Sequence, residues 1–129
     1  MRRLTLLLCA LLLAIALPRA QSDYVGLWVG TWEGAGGNGG FELTLEKGKE
    51  NGLAGSVVVT GEPAYKATLR TVAFEGKKMT AVYDFPVDDS IEIVLDATVE
   101  ESTLKGAWTA RQKGGSEVAS GTWTVTKKK

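Results

Sequence analysis

Gly26-Leu27-Trp28-Val29-Gly30-Thr31-Trp32 carries the unit Gly-x-Trp twice, and the unit returns at Gly106-Ala107-Trp108 and Gly121-Thr122-Trp123. All 4 tryptophans of the sequence therefore stand two residues after a glycine. In an extended strand, residues two apart point to the same face. Each indole thus lies beside a position with no side chain, where its ring has room against neighbouring backbone. Tryptophan-bearing strands fall both early and late in the chain. That arrangement predicts first and last strands lying side by side, as in a closed barrel.

Outward from this stretch the same period of two continues. The first strand is expected over Tyr24–Glu33. A second follows at Phe41–Glu46, where Phe41, Leu43 and Leu45 share one face and Glu42, Thr44 and Glu46 the other. Further strands are expected at Leu53–Thr60, Tyr65–Phe74, Met79–Phe85, Ile91–Val99, Leu104–Gln112 and Val118–Thr126. Each shows alternation bounded by turn residues, and no stretch from Gln21 onward shows a helical stripe. In the fourth, Tyr65, Ala67 and Leu69 are in one phase and Val72 and Phe74 in the other. A β-bulge near Arg70-Thr71 absorbs that slip. Lys113-Gly114-Gly115 and Glu75-Gly76-Lys77 look like tight hairpins, since glycine supplies the positive φ they need. The expected fold is all-β, an eight-stranded up-and-down antiparallel barrel, with a β-sandwich as the alternative. Closure removes the exposed edges such a meander would otherwise present.

The alternation also says which side is wet. Glu42, Glu46, Glu92 and Asp96 occupy the face opposite the apolar stripe, and several charges at bilayer depth would be costly. The apolar face is therefore expected inside and water outside, with no membrane span. An eight-stranded barrel is just wide enough to be filled by side chains or to hold one small ligand. The inward positions mix bulky Phe41, Leu43, Leu45, Tyr83, Phe85, Ile93 and Trp108 with small Gly55, Ala67, Ala81, Ala97, Gly106, Ala110 and Gly121. If the small residues gather at one end, a pocket results; if they interleave with the large ones, the interior is solid. Trp28, Trp32, Tyr83, Trp108 and Trp123 are the candidate ligand-binding residues, as an aromatic wall for an apolar or sugar ligand. Their competing role is to plug the barrel, since each buried indole removes about 150–250 Å² from water.

The start of the sequence has a different character. Arg2 and Arg3 precede an apolar run, Leu4 to Leu17, broken only by Thr5 and followed by Pro18-Arg19-Ala20. A basic start, a short apolar core and a small residue before the cut make a signal peptide. The run falls short of the roughly 20 residues a membrane-spanning helix needs. Residues 1–20 are expected to be removed, leaving 21–129 as a single barrel domain, secreted or periplasmic. Cys9 lies within the leader behind Leu8, which does not fit a lipoprotein. The whole sequence balances 15 basic against 15 acidic residues. Loss of Arg2, Arg3 and Arg19 leaves 12 bases and a net charge of −3, which favours solubility over nucleic-acid binding.

Several chemistries are excluded. The sequence has no histidine, and its 1 cysteine lies in the leader. Histidine-ligated haem, histidine-based zinc sites, Ser-His-Asp machinery and thiolate chemistry all drop out. No cofactor and no metal site are expected. Asp88, Asp89 and Glu92 cluster at a turn and could attract calcium, but they lack the spacing of an EF-hand loop and suit a solvated acidic turn. Gly34-Ala35-Gly36-Gly37-Asn38-Gly39 imitates a dinucleotide fingerprint, which needs a following helix; a strand follows here. The segment Gly34–Gly40 is expected to be a hairpin loop, with a mobile flap over the barrel mouth as its functional reading.

Gly30-Thr31-Trp32 on the first strand, with Asn51-Gly52-Leu53-Ala54-Gly55-Ser56, resembles early segments of the lipocalin and avidin-like group of eight-stranded barrels. The resemblance implies a ligand-holding barrel. In avidins a polar asparagine and serine soon follow the first tryptophan and hold the ligand's ureido group; Glu33-Gly34-Ala35-Gly36 stands there instead. Gly30-Thr31-Trp32-Glu33-Gly34 also resembles the start of nitrobindin-type haem barrels, whose expected iron ligand is absent here. The chain is similar, too, to small secreted bacterial barrel domains of unknown function with Gly-Thr-Trp near both ends. The leading expectation is a secreted binding protein for a small apolar ligand, not an enzyme. The alternative is an extracellular or cell-envelope interaction module with a filled core. It would meet a protein partner through the first strand, where Val25, Leu27 and Val29 oppose the tryptophans.

Overall fold

Phe41, Leu43 and Leu45 are buried while Glu42 and Glu46 between them are exposed, and this alternation recurs along the sheet. The computed structural model describes residues 23–129; the expected leader at 1–20 lies outside them. Strands β1 (Gly26–Gly34), β2 (Gly37–Lys47), β3 (Leu53–Val59), β4 (Tyr65–Thr68), β5 (Thr71–Glu75), β6 (Lys78–Asp84), β7 (Ile91–Glu100), β8 (Thr103–Gln112) and β9 (Glu117–Lys127) follow one another. A single turn of 3-10 helix at Lys49–Asn51 interrupts them. All ladders are antiparallel, in the order β4-β3-β2-β1-β9-β8-β7-β6-β5. First and last strands pair as the Gly-x-Trp units imply, with Trp32 opposite Trp123.

The sheet is strongly curled and barrel-like. Its two end strands, β4 and β5, are halves of one segment, Tyr65–Glu75. The first half pairs with β3 and the second with β6. The expected fourth strand thus becomes two, giving nine strands among the described residues. At the junction, Leu69 N–H donates to Gly55 O and Arg70 N–H to Val82 O, both at 2.8 Å. One segment therefore serves both edges of the sheet. The phase slip between Leu69 and Val72 marks the place: Leu69 and Phe74 both turn inward only because the chain leaves the ladder between them.

The expected flap at Gly34–Gly40 is corrected. Only Ala35-Gly36 forms a turn; Gly37 to Gly40 belong to β2 and pair with Thr31 to Gly34. Glycine is depleted from strands in general, so a glycine-rich stretch reads as loop. Here it serves close approach. A Cβ on Gly39 would lie 1.9 Å from Thr60 O and 2.8 Å from Trp32 Nε1. The two tight hairpins stand as expected, with Gly76 at φ +60° and Gly114 at φ +72°.

The two ends of the shell differ. The connections Lys49–Asn51, Gly76-Lys77 and Glu101-Ser102 lie at one end. The N-terminal residues seal it: Tyr24 stacks on Phe74 with ring centroids 3.8 Å apart, and its hydroxyl donates to Gly76 O. Behind this cap Trp28, Leu43, Leu45, Val57, Leu104 and Val125 are almost wholly buried. Dense packing of such side chains is what drives folding, each contributing about 1.5–3 kcal/mol on burial. The connections Ala35-Gly36, Thr60–Ala64, Phe85–Ser90 and Lys113–Ser116 lie at the other end, where the interior is not filled.

On the outer face, Glu92 departs from the expected wet carboxylate. It is only 6 % exposed. Arg70 Nη2 and Arg111 Nε close over it at 2.8 and 2.6 Å. Arg70 also binds Asp84 at 2.7 Å, with Lys113 3.4 Å from the same oxygen. The Asp88 carboxylate is taken by the amide and hydroxyl of Ser90. Asp88 and Glu92 are thus engaged separately rather than converging, and among the described residues no group of acids is arranged to hold a metal.

Candidate functional site

The unfilled end contains a cavity of about 260 Å³. Its walls come from strands all round the shell. Trp32 (β1), Phe41 (β2) and Val59 (β3) form one side; Ile93 and Leu95 (β7), Trp108 and Ala110 (β8) and Trp123 (β9) form the other. Tyr65 (β4) and Tyr83 (β6) close the circuit where the sheet's two ends meet. Pro63, Phe85, Ile91, Val118 and Ala119 surround the mouth. Pro63, Val118 and Ala119 are exposed there, so the cavity reaches solvent.

Small residues create the space. Ile93, Ala110 and Ala119 stand opposite one another on β7, β8 and β9. Two alanines face the cavity where a larger side chain would fill it. Farther in, Trp108 lies over Gly34 and Gly121; a Cβ on either would come within 2.6 Å of its ring. That fits the expectation that glycine makes room for indole, although the glycine that serves Trp108 is on the neighbouring strand rather than two residues before it. Trp32 meets Trp108 edge to face, centroids 6.1 Å apart at 82°. Phe41 tilts against Trp123 at 5.2 Å, and Tyr65 meets Phe85 edge-on at 5.2 Å.

Of the five sequence candidates, Trp32, Tyr83, Trp108 and Trp123 line the cavity together. Trp28 does not. It is 1 % exposed in the packed end and donates its indole N–H to Tyr24 O at 3.0 Å. The four Gly-x-Trp units look equivalent in sequence, but their register assigns them different tiers. Tyr65 was missed as a site residue. Its signal was present: like Tyr83 it puts a hydroxyl in the inward phase of an apolar strand.

The polar groups of the wall are few. The three cavity indoles donate to backbone carbonyls: Trp32 to Thr60 O at 2.9 Å, Trp108 to Glu33 O at 2.9 Å and Trp123 to Ala107 O at 3.0 Å. Those bonds fix the rings in place. Tyr65 and Tyr83 share a hydrogen bond, 2.7 Å between oxygens. Burial pushes the Tyr83 hydroxyl well above the ordinary phenol range, and its neighbour Tyr65 adds to this. Burial also raises Tyr65, with the bond to Tyr83 opposing it. Both stay neutral phenols at physiological pH. Among the described residues that line the cavity there is no carboxylate, amine or guanidinium, so its wall is apolar and uncharged.

On the outside, Leu27 of β1 is 37 % exposed and Val29 half-buried. They stand among Thr44, Glu42 and Thr126 on the adjoining strands. Comparison with protein-family models, with curated proteins and with solved structures finds no match to this chain.

Proposed function

We propose that this chain is an exported binding protein that holds one small apolar molecule inside its barrel-like shell. The observation that carries the reading is the 260 Å³ cavity at one end, walled by fixed aromatic rings. Ligand sites are typically concave, largely apolar and preformed, with a few polar groups to orient the guest. An apolar cavity of about 150 Å³ is enough for benzene, so this one suits a guest of about two rings or an equivalent aliphatic skeleton. Mutual indole and ring contacts keep the walls in position without a ligand, which lowers the ordering cost of binding. Export is supported by the leader pattern at residues 1–20. The apolar, uncharged wall favours carriage over catalysis. The interaction-module alternative draws on Leu27 and Val29, but a single strand's two apolar side chains among threonines and Glu42 make a small patch.

N-phenyl-1-naphthylamine, an uncharged fluorophore, tests this. Titrated into the folded protein it is expected to show saturable emission, excited in part by energy transfer from the cavity tryptophans. Linear, non-saturating emission at all concentrations would refute the reading.

A further inference from the structure

Three indole N–H groups line the cavity, and all three are committed to backbone carbonyls. Among the described residues, the remaining polar atoms of the wall's side chains are the Tyr65 and Tyr83 hydroxyls. Two phenol hydroxyls carry two protons. Their shared bond consumes one, whichever of the two donates. One O–H is therefore left over, and among the described residues no other group accepts from it. Tyr83 is 1 % exposed and Tyr65 half-buried in the cavity wall, beside apolar residues that include Phe85 and Ile93. A donor left unpaired in such a place is unfavourable. A guest that brings an acceptor cancels that cost, whereas a pure hydrocarbon does not.

The charge of the guest is bounded by the same wall. No cation is among the described residues that line the cavity. Arg70 and Arg111 are on the outer face, bound to Glu92 and Asp84. A carboxylate entering this site would shed its hydration and meet one phenol, with no counter-charge. A neutral acceptor loses far less.

We infer that the ligand is a small uncharged ring compound bearing a carbonyl, and that the Tyr65–Tyr83 pair donates one hydrogen bond to that oxygen. The inference rests on the proposed reading of the cavity as a ligand site. Burial keeps both phenols protonated, so the donor persists throughout the neutral range. The pair orients the guest: its carbonyl faces the seam between β4 and β6, and its rings lie toward Trp32 and Trp108.

The test measures displacement of N-phenyl-1-naphthylamine by three matched compounds, 2-acetylnaphthalene, 2-isopropenylnaphthalene and 2-naphthoate. The intact domain and the variant Tyr65→Phe/Tyr83→Phe are compared. The double variant is needed because either tyrosine alone retains a free proton. In the intact domain the ketone is expected to bind more tightly than the anion. The ketone-to-hydrocarbon affinity ratio is expected to fall about fivefold in the double variant, the factor a net neutral hydrogen bond is worth. The carbonyl stretch of the bound ketone in the intact domain gives a second readout that needs no variant; it is expected below its position in hexane. An unchanged ratio, a carbonyl stretch as in hexane, or tighter binding of 2-naphthoate overturns the inference while leaving the cavity a ligand site. If neither the fluorophore nor any of the three compounds binds, the proposed function itself fails and the inference with it.

Discussion

Replacing Ala110 by leucine asks whether the end of the shell is empty. Ala110 is 8 % exposed, faces the cavity between Ile93 and Ala119, and sits on β8. Leucine adds three carbons. If they enter unoccupied apolar space, each contributes about 0.8 kcal/mol. Restricting the leucine rotamers takes back about 0.5–1 kcal/mol. The net gain is about 1.5 kcal/mol, which raises the urea midpoint by roughly 0.5–1 M at ordinary slopes for a domain of this size. In a fully packed interior the same change forces side chains off their rotamers and destabilises by about 1–3 kcal/mol. The sign separates the two cases. Probe affinity provides the second arm: leucine displaces about 60 Å² of guest contact, equivalent to about tenfold in affinity. Urea titrations followed by tryptophan emission, with and without N-phenyl-1-naphthylamine, supply both numbers. A lower midpoint together with unchanged probe affinity would refute the reasoning.

Other outcomes follow from the same geometry. Gly39→Ala drives a Cβ onto Thr60 O and is expected to cost about 3 kcal/mol, whereas Gly36→Ala, with nothing within 4 Å, is expected to stay within about 0.5 kcal/mol; urea unfolding of the two compares them. Arg70, then Arg111, hold the Glu92 carboxyl below its ordinary value of 4.5. A carboxyl lowered in the folded state stabilises above its unfolded value, and that stabilisation fades as pH falls through the folded one. Glu92→Gln is therefore expected to be less stable than the parent at pH 7, with the gap narrowing progressively below about pH 4.5; a gap independent of pH would contradict the pairing.

The strands were legible because burial on one face imposes a period of two, as in Phe41, Leu43 and Leu45. The pairing of the first strand with the last followed from the Gly-x-Trp units. Gly37 to Gly40 were not legible as strand: composition says loop, and only the approach of Thr60, brought close by the curl of the sheet, explains the glycines at 39 and 40, while Gly37 answers to its φ of +148°. The break at Leu69-Arg70 was visible as a phase slip, but the sequence does not say that each half pairs with a different neighbour. The cavity was legible only as inward aromatics with small residues among them, a mix that left a pocket and a solid interior both open. Its location was not legible. Trp28 and Trp32 share a face four residues apart, yet one is in the packed end and the other lines the cavity, a difference set by register across strands. Tyr65 and Tyr83 are 18 positions apart, and their contact exists only because the ends of the sheet come together.

Nuclear magnetic resonance of the four indole N–H groups, titrated with 2-acetylnaphthalene, reads the central claim most directly. The signals of Trp32, Trp108 and Trp123 are expected to shift in a saturable manner, while that of Trp28, held by Tyr24 behind the packed end, stays in place. Absence of any shift, or a displacement of Trp28 as large as the others, would contradict a ligand chamber confined to the end ringed by those three tryptophans.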